Sequence, residues 1–150
     1  MNYTGYKEDL LAKREEVQLA DGFDELEYLR WEMLHSIGSL CFHFRNHHGS
    51  GAELDLDSLK VTSKRLLNTI VVYGEMHEMS ELEPYLEGIK NPYLHPTTDM
   101  ATITDMLENA ISLTKSSRHN PYLVSLVEKV LFGLMKILGD RGVSVSDLME

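Results

Sequence analysis

The stretch NPYLVSLVEKVLFGLMKILG, residues 120–139, decides the fold class. Asn120 followed by Pro121 is a helix-start signal, because an asparagine side chain can take an orphan N–H and proline fits the first helical position. Beyond it, Leu123, Leu126, Val127, Val130, Leu131, Leu134, Ile137 and Leu138 fall on one broad arc when each residue advances about 100°. Val124, Phe132 and Met135 widen that arc, and only Ser125, Glu128, Lys129 and Lys136 relieve it. A helix this apolar is expected at the centre of a helical domain, or to finish its burial against another subunit. Gly133 would let a neighbouring helix come close. Gly139 and Gly142 end the segment, and Ser146 is the expected cap of a terminal turn at Asp147–Met149.

The same helical period extends outward over almost the whole chain. Lys7–Leu19 reads as a weak, charge-rich first helix with few apolar positions (Leu10, Leu11, Val17). Asp21 is the expected N-cap of a second helix, from Phe23 to about His47. Phe23, Leu26, Met33, Leu34, Ile37, Leu40, Cys41 and Phe44 form its core stripe. An aromatic line of Tyr28, Trp31, His35 and Phe42 follows its other side, so this helix is apolar on two faces. Gly49-Ser50-Gly51 separates it from a third helix, expected from Leu56–Ser58 through Met79, with Leu59, Leu66, Leu67, Ile70 and Tyr73 inward. Pro84, Pro92 and Pro96 limit the next segment to a turn or two. Thr97 or Thr98 caps a fourth helix to about Ser117, with Met100, Ile103, Leu107, Ala110 and Ile111 inward. The tripeptide Pro-Tyr-Leu at Pro84, Pro92 and Pro121 has unequal spacing and reads as local helix-start chemistry. The expectation is one all-α domain over residues 1–150, a compact bundle of about five helices with a short C-terminal helical turn.

With 150 residues and 43% hydrophobic content, the chain can bury a proper core without metal or disulfide staples. Its one cysteine, Cys41, cannot form an internal disulfide, which suits a reduced, cytoplasmic setting. The first residues lack an apolar leader pattern, and no apolar run approaches the roughly 18–20 residues of a membrane span. A net charge of −10 argues against direct nucleic-acid binding, which needs a cationic patch. The nearest group of cations, Lys60, Lys64 and Arg65, is too small for one. An acidic surface of this kind would instead attract a basic protein.

Candidate chemistry is sparse. Glu32 and His35, three residues apart, and His43 and His47, four apart, each have a spacing that can chelate a metal from one helix face. The inward line of the third helix, continued past Tyr73, reaches His77 and Glu81 with Glu78 at its edge. Polar residues on such a line must be paired, bound to something, or beyond the end of the bundle. His77, Glu78 and Glu81 are therefore the candidate metal or proton-transfer residues. Cys41 lies among apolar neighbours, away from the electropositive setting that a reactive thiolate needs. No phosphate-cradling glycine loop, nucleophile elbow or cofactor motif is present, so no cofactor is expected.

The tail VLFGLMKILGDRGVSVSDLM, Val130–Met149, resembles the end of the all-α nucleotide pyrophosphohydrolases, the superfamily that includes the MazG-type enzymes and phosphoribosyl-ATP pyrophosphohydrolase. There an apolar helix, a glycine turn and a Ser/Asp-capped last helix follow one another. The resemblance covers about a seventh of the chain. It implies magnesium held by EExxE and ExxD carboxylates against substrate phosphates. At the matching places this chain has Glu32, Met33 and Ser36, then Leu126 and Lys129, so no catalytic residue carries over. A second alignment pairs Glu75 and Glu78 with Asp105 and Glu108, and it would put a metal site near Glu75–Glu81.

The leading expectation is a non-enzymatic interaction module, self-associating as a homo-oligomer or acting as adaptor or inhibitor of a basic partner. Its interface residues would be Tyr28, Trp31, His35, Phe42, Val124, Phe132 and Met135, since desolvated aromatics dominate interfaces. The premise is that the second and fifth helices carry more apolar circumference than one small domain can cover.

Overall fold

The computed structural model describes residues 2–14 and 24–150. These are all-helical: α1 (Tyr3–Arg14), α2 (Glu25–Ser50), α3 (Leu56–Met76), a 3₁₀ turn (Ser80–Leu82) running into α4 (Glu83–Leu86), α5 (Asp99–Lys115), α6 (Leu123–Gly139) and α7 (Val145–Leu148). The five long helices are those that the periodicity marks, and the remaining turns are the short segments the prolines and the C-terminal cap allow. The expected core positions Val17 and Phe23 and the cap Asp21 lie outside the described residues. Asp24 caps α2, its carboxylate accepting the Leu26 N–H at 2.9 Å.

The helix ends follow from local chemistry. Asp55 accepts the N–H groups of Asp57 and Ser58 to open α3, and Thr98 accepts that of Ala101 to open α5. Asn120 accepts the Tyr122 N–H at 2.9 Å, so it starts a leading turn and α6 begins at Leu123. Ser144, not Ser146, caps α7, in a reciprocal box with Asp147. Gly142, at φ 75°, turns the chain early enough to put the serine two places sooner.

Helices α2, α3, α6 and α5 form a closed ring of neighbours, α2 against α3, α3 against α6, α6 against α5 and α5 against α2, with α1 lying on α3. Met33, Ile37, Leu40, Leu59, Leu66, Leu67, Ile70, Tyr73, Met106, Leu113, Leu131 and Leu134 fill the space they enclose. Every large apolar side chain of α6 is buried or half-buried. The expectation that α6 carries surplus apolar surface is corrected on this point. Val124, Phe132 and Met135 pack on the core of their own chain, and the Phe132 ring meets Tyr85 edge-on at 4.7 Å.

Two details hold the ring together. A Cβ built on Gly133 of α6 would lie 2.3 Å from Met106 Cγ, so α5 and α6 approach as closely as they do because that side chain is absent. Arg30 of α2, only 9% exposed, donates from Nε to the Tyr73 hydroxyl (2.9 Å) and from Nη1 to the Ser116 carbonyl (2.8 Å). Its positive charge sits at the C-terminal end of α5, where the helix dipole is negative. One side chain thereby ties three helices.

Gly133→Val should lower unfolding free energy by about 2 kcal/mol, the usual cost of overpacking a filled contact. Denaturant titration checks this, and an unchanged midpoint would contradict the close α5–α6 approach.

Candidate functional site

The core stripe of α2 fixes which way its other residues point. With Met33, Ile37, Leu40 and Phe44 turned inward, Trp31 and Phe42 point away from the core and are 59% and 54% exposed. Tyr28 and His35 are exposed on the same side. Between them lies Gly38, also exposed, where an added Cβ would meet nothing within 4 Å. The Arg45 guanidinium covers the Phe42 ring at 5.0 Å.

Helix α5 completes the surface. Its buried residues are Thr102, Ile103, Met106, Asn109, Ala110 and Leu113. The sequence expectation placed Met100 and Ile111 inward, yet they are 78% and 42% exposed. The correction is one of phase: Met106 and Leu113 take the core, which rotates Met100, Leu107 and Ile111 towards the flank shared with α2. Arg30 meets Ser116 and His48 meets Asp99, so α2 and α5 run antiparallel. Between them opens a groove of about 730 Å³, walled by Cys41, Phe44, Met100, Ile103 and Leu107, with Arg45, His48, Thr98 and Asp99 at one end. Among the described residues, Tyr28, Trp31, Phe42, Met100 and Ile111 are five of the ten large apolar side chains left exposed. Half of these ten side chains are thus on α2 and α5.

The charged end of the groove is a structural clasp. Asp99 accepts from Arg141 (2.6 Å) and from His48 (3.1 Å), and Arg141 and His48 both lie over Phe44. Burial pushes the Asp99 carboxyl up, but hydrogen bonds from Arg141 and His48 hold it below the usual carboxylate range. The clasp joins the end of α2, the start of α5 and the turn after α6. Burial raises the Cys41 thiol, keeping it protonated and poorly nucleophilic on the groove wall.

The other sequence candidates are dispersed. Glu32 pairs with Arg65, which also approaches His35; His43 bonds Thr62 at 2.9 Å; His47 bonds the Ala52 carbonyl at 2.7 Å. α3 ends at Met76, three residues before the expected boundary, so the inward line does not continue to Glu81. The Met79 N–H closes back on the Gly74 carbonyl at 2.7 Å, which forces Glu78 to a left-handed φ of 55°. His77 is half-buried against the Tyr73 ring at 4.5 Å, its Nε2 unpartnered, while Glu75, Glu78 and Glu81 are exposed. Asp105 and Glu108 are exposed on α5. Among the described residues, no three His, Cys, Asp or Glu side chains come together as a metal-binding group.

No helix of the described residues is long and apolar enough to cross a membrane. Compared with protein-family models, curated proteins and solved structures, the chain matches none.

Burial, then the nearby charge of Arg30, lowers the His77 pKa in the folded state below its ordinary value. The unfolded chain therefore binds the proton more readily. This contribution is fully present above the ordinary histidine pKa of about 6.5 and is lost as pH falls towards the lower folded value. Urea midpoints at pH 7.5 and 5.5 should fall further for the native protein than for His77→Gln. Equal falls would refute a neutral, buried His77.

Proposed function

We propose that this chain is a non-enzymatic protein-interaction module whose recognition surface is the outward face of α2 with the adjoining wall of α5. The observation that carries the reading is the exposure of Trp31 and Phe42 on α2 and of Met100 and Ile111 on α5, two antiparallel helices with an open apolar groove between them that Met100 lines. Contiguous apolar surface left on a folded chain is a mark of an interaction site. Two parallel rims with an apolar floor between them suit an amphipathic helix, which inserts side chains spaced one turn apart. The groove is held open by the ring packing and by the Asp99 clasp, so it needs little rearrangement before binding.

Charge adds a second property. Many cations of the described residues are already engaged: Lys7 with Glu83, Arg65 with Glu32, Lys136 with Asp140, Arg141 with Asp99. The net charge of −10 therefore remains on the outer surface as carboxylates, and it steers cationic proteins towards this one. Adaptor or inhibitor roles towards a basic partner fit that field, with the apolar face supplying the contact.

Trp31 is the single tryptophan, so its emission reports directly on this face. A cationic amphipathic helical peptide, or rising protein concentration, should shift that emission to the blue in a saturable way. Phe42→Glu should weaken the response at least tenfold, about 1.4 kcal/mol. Val61→Glu, at an exposed apolar position on α3, should leave it intact. If neither ligand nor concentration moves the emission, or if both substitutions act alike, the reading fails.

A further inference from the structure

We infer that the groove between α2 and α5 binds a single-chain amphiphile with an anionic head, a free fatty acid in chemical class. Its carboxylate lies at Arg45 and its alkyl chain along Cys41, Phe44, Ile103 and Leu107. The inference goes beyond the interaction reading and stands on the charge at the groove's end, not on the outward face of Trp31 and Phe42.

The arginines single out this place. The chain has six of them. Arg14, Arg65, Arg118 and Arg141 each reach a carboxylate, those of Glu25, Glu32, Asp24 and Asp99. Arg30 is buried on the Tyr73 hydroxyl and the Ser116 carbonyl. Among the described residues, Arg45 is the one exposed arginine without a carboxylate partner. It meets only the Asn46 side-chain oxygen at 3.4 Å and the Phe42 ring at 5.0 Å, and neither neutralises it. In a chain with 24 Asp and Glu, the arginine that lacks one stands at the end of an apolar groove. A guanidinium so placed is matched to a carboxylate from another molecule.

The groove supplies the rest of the chemistry. Its volume of about 730 Å³ is that of a small-ligand site, mostly apolar with a few polar groups that fix orientation. Cys41, Phe44, Ile103 and Leu107 form the apolar wall, and Arg45 and Thr98 lie together at one end. The Thr98 hydroxyl oxygen accepts the Ala101 N–H, and its own O–H remains a donor for the head group. Asp99 is also at this end, but Arg141 at 2.6 Å and His48 at 3.1 Å take up its charge. Two guanidinium groups against one carboxylate leave the end of the groove positive, on a chain whose net charge is −10. An anionic head is matched to that end as the lysines of a basic helix are not. From Thr98 to Leu107 the wall runs about 14 Å at the helical rise of 1.5 Å per residue, room for one extended alkyl chain.

Cys41, the single cysteine, is half-buried on the groove wall and reports on its occupancy. Dodecanoate should slow the reaction of Cys41 with a maleimide several-fold, with half-protection on the order of 10 μM for a ligand of this size. Dodecyltrimethylammonium, with the same chain and a positive head, should protect far less, although the acidic surface attracts it. Arg45→Gln should raise the half-protecting dodecanoate concentration about tenfold. Lys115→Gln, an equal loss of charge at the other end of α5, should leave it unchanged. Because Arg45 is exposed, its variant should unfold at the native temperature when no ligand is present. Absence of protection by dodecanoate, equal protection by the two surfactants, or equal effects of the two substitutions overturns the inference. Protection by the cationic peptide but not by dodecanoate overturns it and leaves the interaction module standing. Selective protection by dodecanoate, in a protein whose Trp31 emission ignores both peptide and concentration, sustains the inference and removes the module.

Discussion

The rotation of α2 about its own axis is the constraint from which the surface follows. Met33, Ile37, Leu40 and Phe44 are buried, and Arg30 is pinned to Tyr73 on one neighbour and to the end of α5 on another. Fully burying each large apolar side chain is worth roughly 1.5–3 kcal/mol, so turning the helix to hide its aromatic line would expose more than it covers. Trp31 and Phe42 stay outside because the core outweighs them. The two apolar faces of α2 are therefore unequal: the inward face builds the bundle, and the outward one stays exposed.

Much of this was legible from residues alone. The α3 stripe of Leu59, Leu66, Leu67, Ile70 and Tyr73 is wholly buried, because in an amphipathic helix only one face is apolar enough to turn inward. Thr98 is the cap of α5, one of two adjacent threonines that sequence could not separate. The phase of α5 was the main loss. Met100, Ile103, Leu107 and Ile111 make one plausible stripe, and Ile103, Met106, Ala110 and Leu113 make another slightly rotated from it. Which of the two faces the core depends on where α2 and α6 stand, and periodicity carries no information about neighbours. Met100 and Ile111 were missed as surface residues for that reason.

Arg30 and Gly38 illustrate the same limit from opposite sides. Arginine is rarely buried, so sequence patterning assigns it to solvent, yet here a helix C-terminus and a tyrosine hydroxyl compensate its charge. A glycine within a helical pattern reads only as a weak point. The structure places Gly38 on the outward face of α2, where a Cβ would meet nothing within 4 Å. Around His77 and Glu81 the inward line was legible but its length was not. The Met79-to-Gly74 hydrogen bond that stops α3 depends on Glu78 accepting a left-handed backbone, which no glycine or asparagine announces.

The central claim, that another protein surface covers the outward face of α2, is tested most directly by acrylamide quenching of Trp31. In dilute protein without ligand the indole, 59% exposed, should be open to the quencher. With the cationic helical peptide at saturation, or at several hundred micromolar protein, the quenching constant should fall at least threefold as the face is covered. A quenching constant that stays at the exposed value under both conditions would contradict the claim.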